Sequence, residues 1–159
     1  MNKNEALILR AAHVSEAAEI ASMSRQQVEY GLNWRWTPAR VKRSVNDKET
    51  MVLIASRAGE MHGFAIMKFA DETAHLLLLA VQPKMRRDGI GTSMLNWLEQ
   101  SCVTAGIQKV RLEVRASNHV ARRFYEKLGY RLVELVAAYY DRSEAAIVMQ
   151  RELNKRLVS

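Results

Sequence analysis

Residues 81–92, VQPKMRRDGIGT, follow an unbroken apolar run and lead into a segment with helical spacing, with Gly89 and Gly91 at the junction. Strand, basic glycine turn and helix, in that order, suit the binding of a phosphate or diphosphate. The first N–H groups of a helix lack partners within it and carry partial positive charge, and glycines there let an anion approach the backbone. Arg86 and Arg87 add positive charge beside them. The spacing RxxGxG meets neither the GxGxxG of dinucleotide folds nor the GxxxxGK[ST] of nucleotide triphosphatases. Glycine turns also open helices where no ligand binds, so this stretch alone leaves both readings open.

Periodicity gives the elements that must hold the turn. Residues 6–10 read as a strand, and 14–30 as a helix with Val14, Ala17, Ala18, Ala21 and Val28 at helical spacing, closed by Gly31. Residues 37–45 read as a short helix with Thr37 as cap and Pro38 in its first turn. Three β-rich runs, 51–57, 63–69 and 76–81, are separated by turns near Gly59 and at 71–73, and are expected to form an antiparallel meander. A helix over 90–105 carries Ile90, Met94, Trp97, Leu98 and Cys102 on one side and stops at Gly106. Residues 109–115 alternate strictly, with Val110, Leu112 and Val114 on one face and Arg111, Glu113 and Arg115 on the other. A helix over 118–128 ending at Gly129, then strands over 130–136 and 145–151, complete a mixed sheet in an α/β architecture. No repeat, low-complexity tract or linker marks a boundary, so residues 1–159 are expected to form a single domain.

At 159 residues and 48% hydrophobic, the chain has enough apolar surface for one well-buried core and too little for two ordinary domains. Its formal charge of +7 favours an anionic partner: a phosphorylated cofactor, nucleic acid or an acidic protein surface. Neither an aromatic-basic RNA-binding signature nor zinc-finger spacing is present, which disfavours nucleic acid. No stretch approaches the roughly 18 apolar residues of a membrane span, and MNKNEALILR lacks an apolar core followed by a cleavage site. A cytoplasmic location without membrane contact is expected. The lone cysteine, Cys102, sits in a helical apolar pattern and reads as a buried small residue. His13, His62, His75 and His119 lack metal-ligand spacing, so no metal is expected.

Residues 110–130, VRLEVRASNHVARRFYEKLGY, make the pattern specific. Together with the glycine turn they supply four ordered features, LAVQP, RRDGIG, LEVRASN and FYEKLGY. Over residues 76–149 the chain resembles the GNAT superfamily of acetyl-CoA-dependent N-acetyltransferases. LEVRASN, the AYY at 138–140 and the EAAIVM at 144–149 are similar to protein N-terminal acetyltransferases, especially the bacterial ribosomal-protein alanine type.

The resemblance implies a GNAT-like, mixed and mostly antiparallel central sheet flanked by helices, with acetyl-CoA as acetyl donor. It implies that the backbone of Leu79, Ala80 and Val81 pairs with the pantetheine arm. Arg86, Arg87, Asp88, Gly89, Ile90, Gly91 and Thr92 then hold the pyrophosphate, and Asn118 helps to hold the cofactor. A strand edge and a helix N-terminus are physically suited to those two tasks. Glu113 matches the general base, commonly acting through water, and Tyr125 the tyrosine that protonates the departing thiolate. Tyr139 and Tyr140 match tyrosines that shape a peptide slot, and Trp34 and Trp36 fall in the substrate-side loop. There GLNWRWTP departs from the proline-tryptophan pattern of the ribosomal alanine enzymes. Each assignment has a plainer reading: core packing for 79–81, a solvated pairing with Arg111 or Arg115 for Glu113, a helix anchor beside Phe124 and Leu128 for Tyr125, and a cap over the helical pair for the tryptophans.

Acetyl transfer needs a neutral amine. An α-amine, with an ordinary pKa of about 7.7 to 8.0, is neutral in roughly a tenth to a fifth of molecules at pH 7, whereas a lysine at about 10.4 needs about 4.6 kcal/mol to reach that form. Cys102 lies far in sequence from any activating histidine, which favours direct transfer over an acyl-enzyme. The expected function is acetylation of a primary amine, foremost the α-amine of a protein or peptide. The alternatives are a lysine, polyamine, aminoglycoside or small-metabolite acceptor on the same fold, or a non-catalytic acyl-CoA or nucleic-acid binding module. The sequence does not give the oligomeric state.

Overall fold

The computed structural model describes residues 5–140 and 144–153; of 138–140, only the backbone is described. The elements are β1 (Ile8–Ala11), α1 (Ala17–Gln27), α2 (Pro38–Asn46), β2 (Thr50–Arg57), β3 (Glu60–Phe69), β4 (Thr73–Val81), α3 (Ile90–Thr104), β5 (Lys109–Arg115), α4 (His119–Lys127), β6 (Arg131–Tyr140) and β7 (Glu144–Glu152). Among the described residues these strands form one seven-stranded sheet with hydrogen-bonded order β1-β2-β3-β4-β5-β7-β6. β1–β2, β2–β3, β5–β7 and β6–β7 are antiparallel, while β4–β5 is parallel. The fold is thus the mixed, mostly antiparallel α/β sheet with flanking helices that the sequence predicts.

Sequence alternation is realised residue by residue. β4 buries Ala74, Leu76, Leu78 and Ala80 and leaves the residues between them half-buried; β5 does the same with Val110, Leu112 and Val114. An apolar run is therefore split between two faces, as a strand requires.

The chain divides into two compact units, one reaching Lys68 and including Leu78–Leu98, the other comprising Phe69–Leu77 and the chain from Glu99 onward. In the first, Ile20 of α1, Val41 of α2, Leu53 of β2, Phe64 of β3 and Leu95 of α3 are fully buried. Gly63 is required by close approach: a Cβ there would lie 2.8 Å from the Ala80 carbonyl oxygen and 3.1 Å from Met94 Cε. In the second unit Val110 and Leu112 of β5, Met149 of β7, Cys102 and Tyr130 are buried.

Element ends follow local chemistry. Thr37 caps α2, its Oγ1 accepting from the Arg40 N–H at 3.4 Å, with Pro38 at the first position. The helix expected over 14–30 is shorter. It begins as a 3₁₀ turn, Val14–Glu16, and α1 ends at Gln27, where the N–H groups of Val28 and Glu29 both bond to the Ser24 carbonyl. β4 begins earlier than expected, at Thr73, where the Ala70 N–H closes the turn onto the Thr73 carbonyl at 3.2 Å. β6 runs on past 136 to Tyr140, paired with β7 through Tyr140↔Glu144.

The entry to α1 is fastened by an ion pair. Arg10 donates to both oxygens of Glu16, at 2.8 and 2.7 Å, and holds its carboxyl down at about 2, against an ordinary 4.5. A carboxyl depressed in the folded state contributes stability that is present above its unfolded pKa and lost as pH falls toward the folded one. Because both side chains are partly solvated, the contribution is about 1 kcal/mol. Glu16→Gln is expected to be less stable than wild type by that amount at pH 7 and by clearly less at pH 3. Urea unfolding at the two pH values measures the gap, and an equal gap at both would remove the ion pair as its cause.

Candidate active site

In the first unit the glycine turn leads directly into the first turn of α3. Gly89 adopts φ +76° and its carbonyl accepts from the Ser93 N–H at 2.9 Å, which places it just before the first turn of the helix. The N–H groups of Ile90, Gly91 and Thr92 then fall in that turn, ahead of any helical acceptor. A Cβ on Gly89 would meet nothing within 4 Å, so the glycine is needed for its backbone angle and not for space; Gly89 is exposed, while Ile90 and Gly91 are buried. Arg87 also takes a left-handed angle, φ 73°, and Arg87 and Asp88 are exposed.

The two arginines have different surroundings. Arg86 Nη2 donates to Gln27 Oε1 at 2.9 Å and its Nε to the Val81 carbonyl at 3.4 Å, tying the turn to the end of α1 and to β4. The sequence offered no sign of that division, because Gln27 lies 59 positions away. Leu79 and Val81 are half-buried and Ala80 is buried. The β4–β5 register ends at Leu76↔Leu112, whereas β4 runs on to Val81, so residues 77–81 lie outside that ladder.

The second unit holds Glu113 and Tyr125. Glu113 lies on the half-buried face of β5, its side chain 16% exposed, and its Oε2 accepts from His75 Nε2. The sequence pointed to Arg111 or Arg115 as its plain partners. Instead, Arg111 Nη2 donates to Glu134 Oε2 of β6 at 3.1 Å, and Arg115 Nη1 lies 3.8 Å from Glu144 Oε2 of β7. Sequence reading gave His75 no role. Its only signal was its place among the odd-numbered residues of β4, off the core face; the parallel register His75↔Arg111, which brings it diagonally to Glu113, is a tertiary fact.

Tyr125 is 8% exposed on α4, with its ring edge-on to Phe124 at 5.1 Å and to Tyr130 at 5.7 Å. Its ring is therefore packed from two sides, as the anchor reading requires. Asn118 caps the same helix, its Oδ1 accepting from the Ala121 N–H at 3.1 Å, which leaves its amide NH₂ as the group able to donate to a ligand. Cys102 is fully buried, and burial pushes its thiol up to about 12, so it stays protonated and unreactive.

The loop between α1 and α2 is organised by Glu29, a residue that sequence reading passed over. Its Oε1 accepts from the backbone N–H groups of Arg35 at 2.7 Å and Trp36 at 3.2 Å, and its Oε2 from Ser24 Oγ at 2.8 Å. Trp34 donates its indole N–H to the Ala21 carbonyl at 3.2 Å, with the Arg25 guanidinium 5.0 Å from its ring centroid. Trp36 is buried, and Arg40 stacks on it at 3.7 Å. Tyr139 and Tyr140 lie in β6 by their backbone, and their side chains lie outside the described residues. No helix among the described residues is long and apolar enough to cross a membrane.

The chain is 38% identical over 97 residues to an uncharacterized N-acetyltransferase of Methanocaldococcus jannaschii, covering 60% of this chain and 62% of that protein. It is 37% identical over 94 residues to the ribosomal protein bS18 alanine N-acetyltransferase of Escherichia coli K12, covering 57% of this chain and 64% of that protein. These matches span less than two thirds of the relatives' own length. Among solved structures, Ard1 from Thermoplasma volcanium superposes with a TM-score of 0.82 at 25% identity, over 93% of this chain and 98% of that one. The Escherichia coli ribosomal-protein-S18-alanine N-acetyltransferase shares the fold, with a TM-score of 0.81 at 24% identity over 93% of this chain and 94% of that one. The profile of the acetyltransferase (GNAT) family matches residues 14–130, most of the chain, and the protein belongs to that family.

Proposed function

We propose that this chain is an acetyl-CoA-dependent N-acetyltransferase that moves the acetyl group directly to the α-amine of a protein or peptide N-terminus. The observation that carries the reaction type is the family match over 14–130, which takes in both the glycine turn and the stretch holding Glu113 and Tyr125. The choice of acceptor is supported by the 37% identity to an enzyme named for a ribosomal-protein alanine.

The residues fit the donor's chemistry. A diphosphate needs N–H donors and positive charge, and the first-turn amides of Ile90, Gly91 and Thr92, beside the exposed Gly89 and Arg87, suit that need. A pantetheine arm carries amides that a strand segment outside its ladder can bind, as at Leu79, Ala80 and Val81. Acetyl-CoA supplies the thioester carbonyl; the chain must remove a proton from the amine and return one to sulfur. Glu113 is the carboxylate on which proton removal depends, and Tyr125 is the acid. Trp34, Tyr139 and Tyr140 belong to the acceptor side. The protonated, buried Cys102 is consistent with transfer that passes through no acyl-enzyme.

The test is mass spectrometry of a peptide pool incubated with the protein and acetyl-CoA. The pool contains peptides with free Ala, Ser, Met or Gly N-termini and N-terminally blocked peptides bearing lysine. Acetylation confined to free N-termini is expected. Modification of lysine alone would move the acceptor to a side-chain amine, and no product from folded protein would overturn the proposal for peptides.

A further inference from the structure

Between Ile20 and Asn46 the chain carries five basic side chains, Arg25, Arg35, Arg40, Lys42 and Arg43, and one acidic one, Glu29. All belong to α1, α2 and the loop between them, within the first unit, where the two helices pack on each other. The one carboxylate is buried and already committed. Its two oxygens take the N–H groups of Arg35 and Trp36 and the hydroxyl of Ser24. Arg25, Arg35, Lys42 and Arg43 are exposed. Among the described residues no ion pair joins Arg25, Arg40 or Arg43 to a carboxylate, whereas Arg10, Arg111, Arg115, Arg122, Arg131 and Arg151 each have one.

Gathering like charge in this way costs free energy. Burial, and then the like charges of Arg43 and Arg35, lower the Arg40 guanidinium from its ordinary range against the pull of Glu29. Two of the guanidinium groups are also held by aromatic rings: Arg25 lies 5.0 Å from the Trp34 ring centroid, and Arg40 3.7 Å from that of Trp36. Such contacts restrict a guanidinium while leaving the N–H donors in its plane to an anion, and a carboxylate matches them with two parallel hydrogen bonds. The loop also starts beside the strand end assigned above to the donor. It leaves α1 just after Gln27, whose Oε1 accepts from Arg86, and Arg86 donates in turn to the Val81 carbonyl.

From this arrangement we propose that the α1–α2 region docks an acidic polypeptide segment, and that this segment is the stretch following the acetylated N-terminal residue. The inference rests on the acetyltransferase reading and deepens it by naming the acceptor class: N-termini with Asp or Glu in the residues after the first. Polypeptide fits this surface better than RNA. Of the aromatic rings in the region only Tyr30 is exposed; Trp36 is buried and Trp34 has Arg25 over its ring, so successive bases find no row of platforms on which to stack.

The experiment compares kcat/KM for two peptides that share the first residue preferred in the pool and differ in the next three, Glu-Glu-Glu against Lys-Lys-Lys. The Glu peptide is expected to be favoured by about tenfold at low salt, the combined effect of a few exposed ion pairs. The gap should close at about 0.5 M salt, where such pairs are screened. Charge reversal at the exposed Arg43, in R43E, should shrink or invert the preference, which a merely structural arginine would not do. R40Q should shrink it too, and R43E serves if R40Q folds poorly. Polarisation of a fluorescent, N-terminally blocked Glu-rich peptide reads docking without reaction; it should bind wild type and bind R43E more weakly. Equal kcat/KM for the two peptides, a gap unchanged in R43E, or no binding of the blocked peptide would overturn the inference and leave the acetyltransferase reading standing. A single-stranded RNA oligonucleotide that binds more tightly than the blocked peptide, and is lost in R43E, would overturn it in favour of nucleic acid. Docking of the blocked peptide with no peptide acetylated would instead overturn the reaction assigned to peptides, so the two failures are distinguishable.

Discussion

Replacing Tyr125, the acid proposed above, with phenylalanine is expected to lower kcat by about 10² to 10⁴-fold, the range for loss of a general acid, while KM for acetyl-CoA changes by less than about threefold. The substitution deletes one oxygen and leaves the ring, whose edge-on contacts with Phe124 and Tyr130 remain at 5.1 and 5.7 Å. A melting temperature measured alongside turnover separates lost chemistry from lost stability. The measurement is steady-state release of free thiol, followed with a saturating peptide. A second donor separates acid catalysis from positioning: a thioester whose thiol is more acidic needs less help in leaving, so the gap between Tyr125→Phe and wild type should shrink with it. Wild-type turnover in the variant would take the acid role away from Tyr125. An undiminished gap with the activated donor would assign the residue to binding instead.

Stability is expected to suffer most at Glu99. On α3, 7% exposed, this carboxylate accepts from Arg151 Nη1 and from the Tyr130 hydroxyl, each at 2.8 Å. Tyr130 is 3% exposed, and burial, followed by the charge of Glu99, pushes its phenol well above the ordinary tyrosine range. The phenol therefore remains a donor at any pH of interest. Glu99→Ala strips both donors of their acceptor and leaves the Arg151 guanidinium, its side chain 13% exposed, without its counter-charge. Breaking one side of such a buried pair costs about 3 to 5 kcal/mol. For a chain of this size that corresponds to a melting temperature lower by roughly 10 °C. Glu99→Gln keeps one acceptor oxygen and should lose less. Thermal unfolding of both variants tests the ordering, and equal melting of wild type and Glu99→Ala would show that the network contributes nothing net. Because Tyr130 also packs edge-on against Tyr125, Glu99 supports the proposed acid from behind.

Elements with a clear period or a local stop were legible in the sequence. The strict alternation of 109–115 gave β5 with its bounds, and Gly106 and Gly129, at φ +80° and +94°, closed α3 and α4 as glycines in a left-handed conformation do. The α1–α2 connection was not legible, because its shape comes from Glu29 reaching backbone groups six and seven positions away, which no periodicity records. The same holds for His75 and Glu113, 38 positions apart. Whether two polar residues on neighbouring strands meet depends on register, and register in a parallel pair is set by packing of the opposite face. Motif similarity supplied Glu113 and Tyr125, but it gave no information about the partners of Glu113.

Glu29 holds the α1–α2 loop by main-chain N–H groups, not by side chains. The grip of Glu29 thus uses atoms that every residue except proline possesses. A change of side chain at position 35 leaves that hydrogen bond in place, whereas a change at Trp34 also removes the indole tie to the Ala21 carbonyl. A library randomised at position 35, with Ser24, Glu29 and Trp34 held constant, would vary the loop's surface while keeping the grip of Glu29. Randomising Glu29 itself would alter the scaffold before any acceptor was sampled.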